Sequence, residues 1–241
     1  MKPWLITCLA LLITLPSLSL GDIEPPRKDV IPLYTIETIE GAGQVRLQKA
    51  DSQEWTNAKE GDYLEEGDSL KVGSATTAVL SLKDDTFIQV SENTVLNIKT
   101  LSDQGDKGFL TRLTLSAGRI LSDVRKNLGL TGSVYEVESG GVVCGVRGTV
   151  FEVANSGDNV ETTTHEGSVQ VQGSNGSQTV KAGETCHCHH GLNPSKEPCS
   201  KKAMARFQAW KAAKARCLAH RAALKSSHPH AHSIRAHSVH R

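Results

Sequence analysis

From about Leu33 to Val180 the chain repeats one pattern: short stretches of alternating apolar and polar residues, broken by Gly, Asn or Asp every eight to twelve residues. Val45 and Leu47, then Ala78, Leu80 and Leu82, Ile88 and Val90, Leu113 and Leu115, Val134 to Val137, and Val169 and Val171 all follow it. A period of two puts every second side chain on one face, so each stretch reads as a strand with one buried side. Asp84-Asp85, Ser156-Gly157-Asp158-Asn159 and Asn175-Gly176 suit tight hairpin turns, because Asn, Asp and Gly tolerate positive φ. With 21 glycines and 4% aromatic residues, the composition fits short strands and many turns better than a helical bundle. The expected fold class is all-β, an antiparallel β-sandwich or short β-roll.

The most distinctive stretch runs from Ser139 to Val153, where Val146-Arg147-Gly148-Thr149-Val150-Phe151 joins two apolar strands through a glycine-bearing turn. It resembles the VRGT-x-F core of the FecR domain, a bacterial envelope module. Gly61-Asp62, Gly67-Asp68, Leu70 and Gly73 resemble the family's paired GD entry. Ala78 to Val90 and Asn93-Thr94 follow its strand, turn and strand, and Leu115, Gly118, Arg119, Ile120 and Asp123-Val124 resemble its L-x-x-GR-x-x-x-DV segment. Glu166-Gly167-Ser168-Val169 and Ala182-Gly183-Glu184 resemble its closing EG-x-V and AGE. The resemblance covers about Gly43 to Glu184, in the family's order. At Val150 the chain departs from it, since the family usually carries a polar or acidic residue there.

The resemblance implies a FecR-like β domain that receives or relays a signal through contacts with other proteins. Val146, Arg147, Gly148, Thr149 and Phe151 are its candidate partner-binding positions. Two roles stay open for Arg147: holding a carboxylate inside the fold, or meeting a partner at its edge. In the best-known members a cytoplasmic segment holds a sigma factor. Only residues 1–4 precede the apolar run here, so a stand-alone exported protein without that segment is expected.

Residues 1–21 read as a cleaved signal peptide, with Lys2, an apolar run from Leu5 to Leu15, Pro16, and small residues before a cut. The run is about 11 residues, short of the ~20 needed to span a bilayer. Periplasmic or extracellular localisation follows. Residues 22–31 read as a linker, 32–185 as the β domain, 186–198 as a Cys/His-rich loop, 199–225 as a basic amphipathic helix, and 226–241 as a disordered His-rich tail.

Formal net charge is +1, yet residues 199–241 hold ten Lys or Arg and no acid, while all 26 Asp and Glu lie before them. The helix is therefore expected to attract either anionic lipid, as a peripheral membrane contact, or the acidic β domain of its own chain. No nucleic-acid motif accompanies it, and nucleic acid is not an expected partner. Ala203, Phe207, Trp210, Cys217 and Leu224 form a narrow apolar stripe along it.

Four cysteines follow the domain. In an oxidising compartment disulfides are the default, and cross-pairing of Cys186 and Cys188 with Cys199 and Cys217 is favoured over pairing within each couple. Cys144 reads as a buried thiol. The competing reading is a Zn, Cu or Ni site drawing on Cys186, His187, Cys188, His189 and His190. No cofactor is otherwise implied. His165 is the only histidine in the β domain and lacks H-E-x-x-H spacing, and no nucleophile elbow or phosphate loop is present. The expected function is a non-catalytic binding or scaffold module of the envelope, involved in signal sensing and meeting a protein or glycan. The alternative is an envelope metal-binding protein.

Overall fold

The computed structural model describes residues 34–82, 85–105, 108–125, 132–189 and 191–227, with helical side chains described as far as residue 223. The leader, its Cys8, the linker, Asp84, His190 and residues 228–241 of the tail lie outside the described residues. Seventeen strands and one helix, labelled in chain order, make up the rest.

The strands form two layers. One contains β1 (Tyr34–Gly41), β4 (Tyr63–Leu64), β6 (Thr76–Leu82), β7 (Phe87–Val90), β12 (Val150–Asn155), β13 (Asn159–Glu166), β16 (Glu184–His189) and β17 (Ser195–Pro198). The other contains β2 (Val45–Gln48), β3 (Thr56–Asn57), β5 (Ser69–Val72), β8 (Thr94–Asp103), β10 (Val134–Ser139), β11 (Val142–Val146), β14 (Ser168–Gly173) and β15 (Gly176–Lys181). The long β9 (Phe109–Asp123) belongs to both. Its first part pairs with β8 and β10, and from Gly118 onward it pairs with β7 and β12.

The hydrogen-bonded order is β4-β1-β6-β7-β9-β12-β13-β16-β17 in the first layer and β3-β2-β5-β8-β9-β10-β11-β14-β15 in the second. The sheet does not close. All pairings are antiparallel except β9 with β10, which is parallel.

Gly118 makes the crossing of β9 between layers. It has φ +88°, and a Cβ there would stand 2.3 Å from Thr94 Oγ1 and 2.6 Å from Thr94 Cα, so only glycine lets the strand bend against β8. Alternation then sorts the side chains. Ile36, Leu80, Ile88, Ile120, Phe151 and Val153 of the first layer meet Leu70, Leu96, Ile98, Leu113, Leu115 and Val137 of the second in one buried core.

The first layer also buries part of its outer face. Val79, Phe87, Leu121 and Val150 point away from the core and pack under α1 (Lys201–Ser227) against Phe207, Trp210, Ala213 and Cys217. Ser200 starts the helix, its Oγ accepting from the Ala203 N–H at 3.2 Å. Ala203, Phe207, Trp210 and Cys217 of the expected stripe are buried, joined by Ala213. Leu224 lies beyond the described side chains.

Residues 186–198, expected as a loop, instead form the end of β16, a turn and β17. The physical reason is a period of two: Cys186 and Cys188 face the core while His187 and His189 face away, which a loop does not require.

Trp210 is fully buried between the helix and the sheet. Trp210→Ala is expected to destabilise the domain by about 3–5 kcal/mol, measured by denaturant unfolding. A loss below about 1 kcal/mol, within the range of surface changes, would show that the helix does not dock there.

Candidate functional site

The turn between β11 and β12 separates the VRGT residues by role. Gly148 takes φ +66°, the left-handed conformation that the reversal needs. Thr149 is buried, and its Oγ1 donates to the Ser168 carbonyl at 3.1 Å, tying this turn to the neighbouring Glu166-Gly167 turn. Gly167 has φ +80°, and a Cβ on it would lie 2.9 Å from Thr149 Oγ1. Phe151 is buried edge-on to Tyr135, with ring centroids 6.2 Å apart. Val146 is half-buried, and Arg147 is exposed. Arg147 stands beside a small cleft whose walls include Phe109, Val134, Tyr135 and Arg125.

A carboxylate enclosed beneath the helix is held by a different arginine. Arg119, next to the Gly118 crossing, reaches Glu152 Oε2 at 2.9 Å. Glu152 points outward from β12 yet is only 1% exposed, because α1 covers it. Arg206 of the helix donates to the same Oε2 at 2.8 Å, and His165 Nε2 donates to Oε1 at 2.8 Å. The His165 ring stacks on Phe207 at 4.5 Å with 7° between the planes, and its Nδ1 has no hydrogen-bond partner. One carboxylate thus ties two strands and the helix together.

Three further acids meet cations along the helix. Asp123 Oδ2 accepts from Lys214 Nζ at 2.6 Å and from Trp210 Nε1 at 3.3 Å. Glu37 accepts from Arg221 and from Ser81, and Arg216 reaches Glu40 at 3.1 Å. Lys214 and Arg221 also lie over the Phe87 ring, at 5.2 and 5.1 Å from its centroid. The acidic partner of the helix is therefore its own domain. Lys201, Lys202 and Lys211 remain exposed on it.

Burial pushes the Glu152 carboxyl up, but hydrogen bonds from His165 and Arg206 and the charges of Arg206 and Arg119 outweigh it and hold it below its ordinary 4.5. Glu37 is held low in the same way: burial raises it, and Arg221, Ser81 and His220 together lower it further. Carboxyls depressed in the folded state contribute stability above their unfolded value and lose it as pH falls through their folded one.

The described cysteines are all free thiols. The expected cross-pairing does not form, and the reason is the alternation of β16. Cys186 and Cys188 face the core between the layers, with sulfurs 4.0 Å apart, whereas Cys217 lies on the buried face of α1, against the opposite face of the same layer. Cys199 precedes the helix, half-buried. Burial pushes the Cys144 thiol up to about 12, and its sulfur lies 3.1 Å from Thr162 Oγ1. Cys188 is held below its ordinary value by the Cys186 S–H that it accepts, and Cys186 is raised correspondingly. The mixed Cys/His metal set is likewise divided: His187 faces outward to Glu197 at 3.1 Å and His189 is exposed. Among the described residues no group of three or more His, Cys, Asp or Glu converges on one point.

Fold and site define a two-layered β module with a helix locked across one outer face. Residues 68–170 match the family model described as FecR protein. No curated protein matches. The chain is also similar, at 15% identity, to two crystal structures of "a putative anti-sigma factor from Parabacteroides distasonis ATCC 8503", at 1.65 and 2.50 Å resolution. Each match has a TM-score of 0.49 and covers 58% of this chain, and 64% and 63% of the other. The chain thus spans less than two thirds of that protein.

Acidification is expected to loosen the helix. The Glu152 and Glu37 contributions are fully present above about pH 4.5 and fall away below it, so quenching of Trp210 or proteolysis within α1 should rise as pH drops from 5 toward 3. Helix protection unchanged across that range would contradict the role of these carboxylates.

Proposed function

We propose that this protein is an exported, non-catalytic FecR-domain binding module of the bacterial envelope that meets a protein partner at the β11–β12 turn and takes part in signal sensing. The observation that carries this reading is the division within the turn. Gly148, Thr149 and Phe151 shape the turn and the core, and Arg147 is exposed beside a cleft edged by the partly exposed Val134. An exposed guanidinium next to apolar surface suits recognition of a carboxylate-bearing protein side chain, with its planar fork fixing direction. The signal-like residues 1–21 support export. The Lys side chains left over on α1 would supply only a weak, salt-sensitive attraction to anionic lipid.

The test expresses the full chain with its leader in a bacterial host, carrying a photo-crosslinking residue at position 147 or, as a control, at the exposed Leu192. The expected result is a mature periplasmic or secreted protein lacking the leader, with a defined protein adduct from position 147 and none from 192. Arg147→Ala should cost no more than about 1 kcal/mol of stability, the scale of an exposed ion pair, while removing the partner. Gly148→Ala should cost about 1–2 kcal/mol through the left-handed backbone. Retention in the cytoplasm would contradict export. A glycan adduct, or none at 147, would contradict the protein-binding turn.

A further inference from the structure

The Cys186–Cys188 pair has no role in the binding reading above, and its geometry is unusual for two structural thiols. Both side chains leave the same face of β16, held in register by Thr162 opposite Cys186 and Val160 opposite Cys188 on β13. Their sulfurs stand 4.0 Å apart. An ion bonded to two thiolates at about 2.3 Å separates them by about 3.8 Å at a tetrahedral angle and about 4.6 Å when linear. The observed spacing falls between these limits. A disulfide fits less well: residues two apart on a strand have Cα atoms about 6.6–6.8 Å apart, at the upper end of the disulfide range. The geometry thus favours two separate thiols over a disulfide.

The surroundings select the ion. His187 is turned to the other face, toward Glu197, and His189 is exposed, so no imidazole completes a four-donor set. Both thiols belong to the buried core, with Val160 opposite Cys188 on β13 and the buried Cys144 thiol near enough to interact with them electrostatically. Two thiolates without further donors suit a soft ion of low coordination number, and a monovalent one leaves a single net negative charge in the apolar interior. Entry is available from Cys188, which lines a cleft of about 240 Å³ with Gly173, His189 and Pro194 at one end of the layers. The wall is glycine where the sulfur comes close, a Cβ on Gly173 reaching 3.9 Å from Cys188 Sγ.

We propose that Cys186 and Cys188 form a two-thiolate site for a soft monovalent metal ion, Cu(I) by chemical class, loaded through the cleft at Cys188. Binding forms two S–Cu bonds, breaks two S–H bonds and releases two protons, with no change of oxidation state.

The test titrates the reduced, full-length protein with Cu(I) under anaerobic conditions against a chromogenic Cu(I) chelator, then maps thiol alkylation by mass. One Cu(I) per chain is expected, with Cys186 and Cys188 protected from alkylation and Cys199 and Cys217 still reactive after denaturation. Cys199→Ser and Cys217→Ser should keep the one-to-one binding, and Cys186→Ser or Cys188→Ser should lose it. Because a buried serine can impair folding, the protection map on the unaltered chain decides independently of the variants. Absence of one-to-one binding, or protection of Cys199 or Cys217 in place of the pair, would overturn the proposal.

Discussion

Glu152 is the point on which the arrangement of this molecule turns. A carboxylate on the outer face of a strand would ordinarily be solvated, and here it is enclosed by a helix and met by Arg119, Arg206 and His165. Removing either arginine leaves charge buried without full compensation, which costs several kcal/mol, although the intact network need not exceed a well-packed apolar substitute. What the network contributes beyond stability is placement. Arg119 is fixed by the Gly118 crossing and Arg206 by the helix, so the shared carboxylate sets where α1 lies on the sheet.

That placement explains a departure from the family pattern. Val150 stands where FecR domains usually carry a polar or acidic residue, and in this chain it is 7% exposed, packed beneath Phe207 and Trp210 with Val79, Phe87 and Leu121. An apolar patch framed by Glu37, Asp123 and Glu152 is matched by a helix with an apolar stripe and cations at Arg206, Lys214 and Arg221. The charge division of the sequence is the linear record of this contact. Acids of the β domain and cations of the helix neutralise one another across the outer face of the layer.

Much of this was legible beforehand. Period two located β2, β6, β7, β9, β10 and β14, and the glycines of the GD, GR, EG and AGE segments, Gly61, Gly67, Gly118, Gly167 and Gly183, all have positive φ, four of them in turns and Gly118 at the bend of β9. Asp68 closes its turn by accepting from the Glu65 and Ala50 amides. The helix began within two residues of its expected start. The acid hub was not read, because a glutamate on an alternating strand looks solvent-facing until something covers it. A signal was present in the continuous apolar runs Ala78-Val79-Leu80, Phe87-Ile88 and Val150-Phe151, which mark strands buried on both faces. The cysteines misled for a related reason. Their spacing suggested staples to the helix, but strand alternation turned Cys186 and Cys188 inward while Cys217 sits on the buried face of α1, outside the layer.

The central claim is that α1 is a wall of the domain rather than an appendage. Native-state hydrogen exchange at neutral pH tests it most directly. If the claim holds, amides from Phe207 to Cys217 exchange with the same opening free energy as those of β9, since the helix leaves only when the domain unfolds. Exchange of those amides at a much lower opening free energy, with β9 still protected, would show a helix that detaches on its own and would contradict the account.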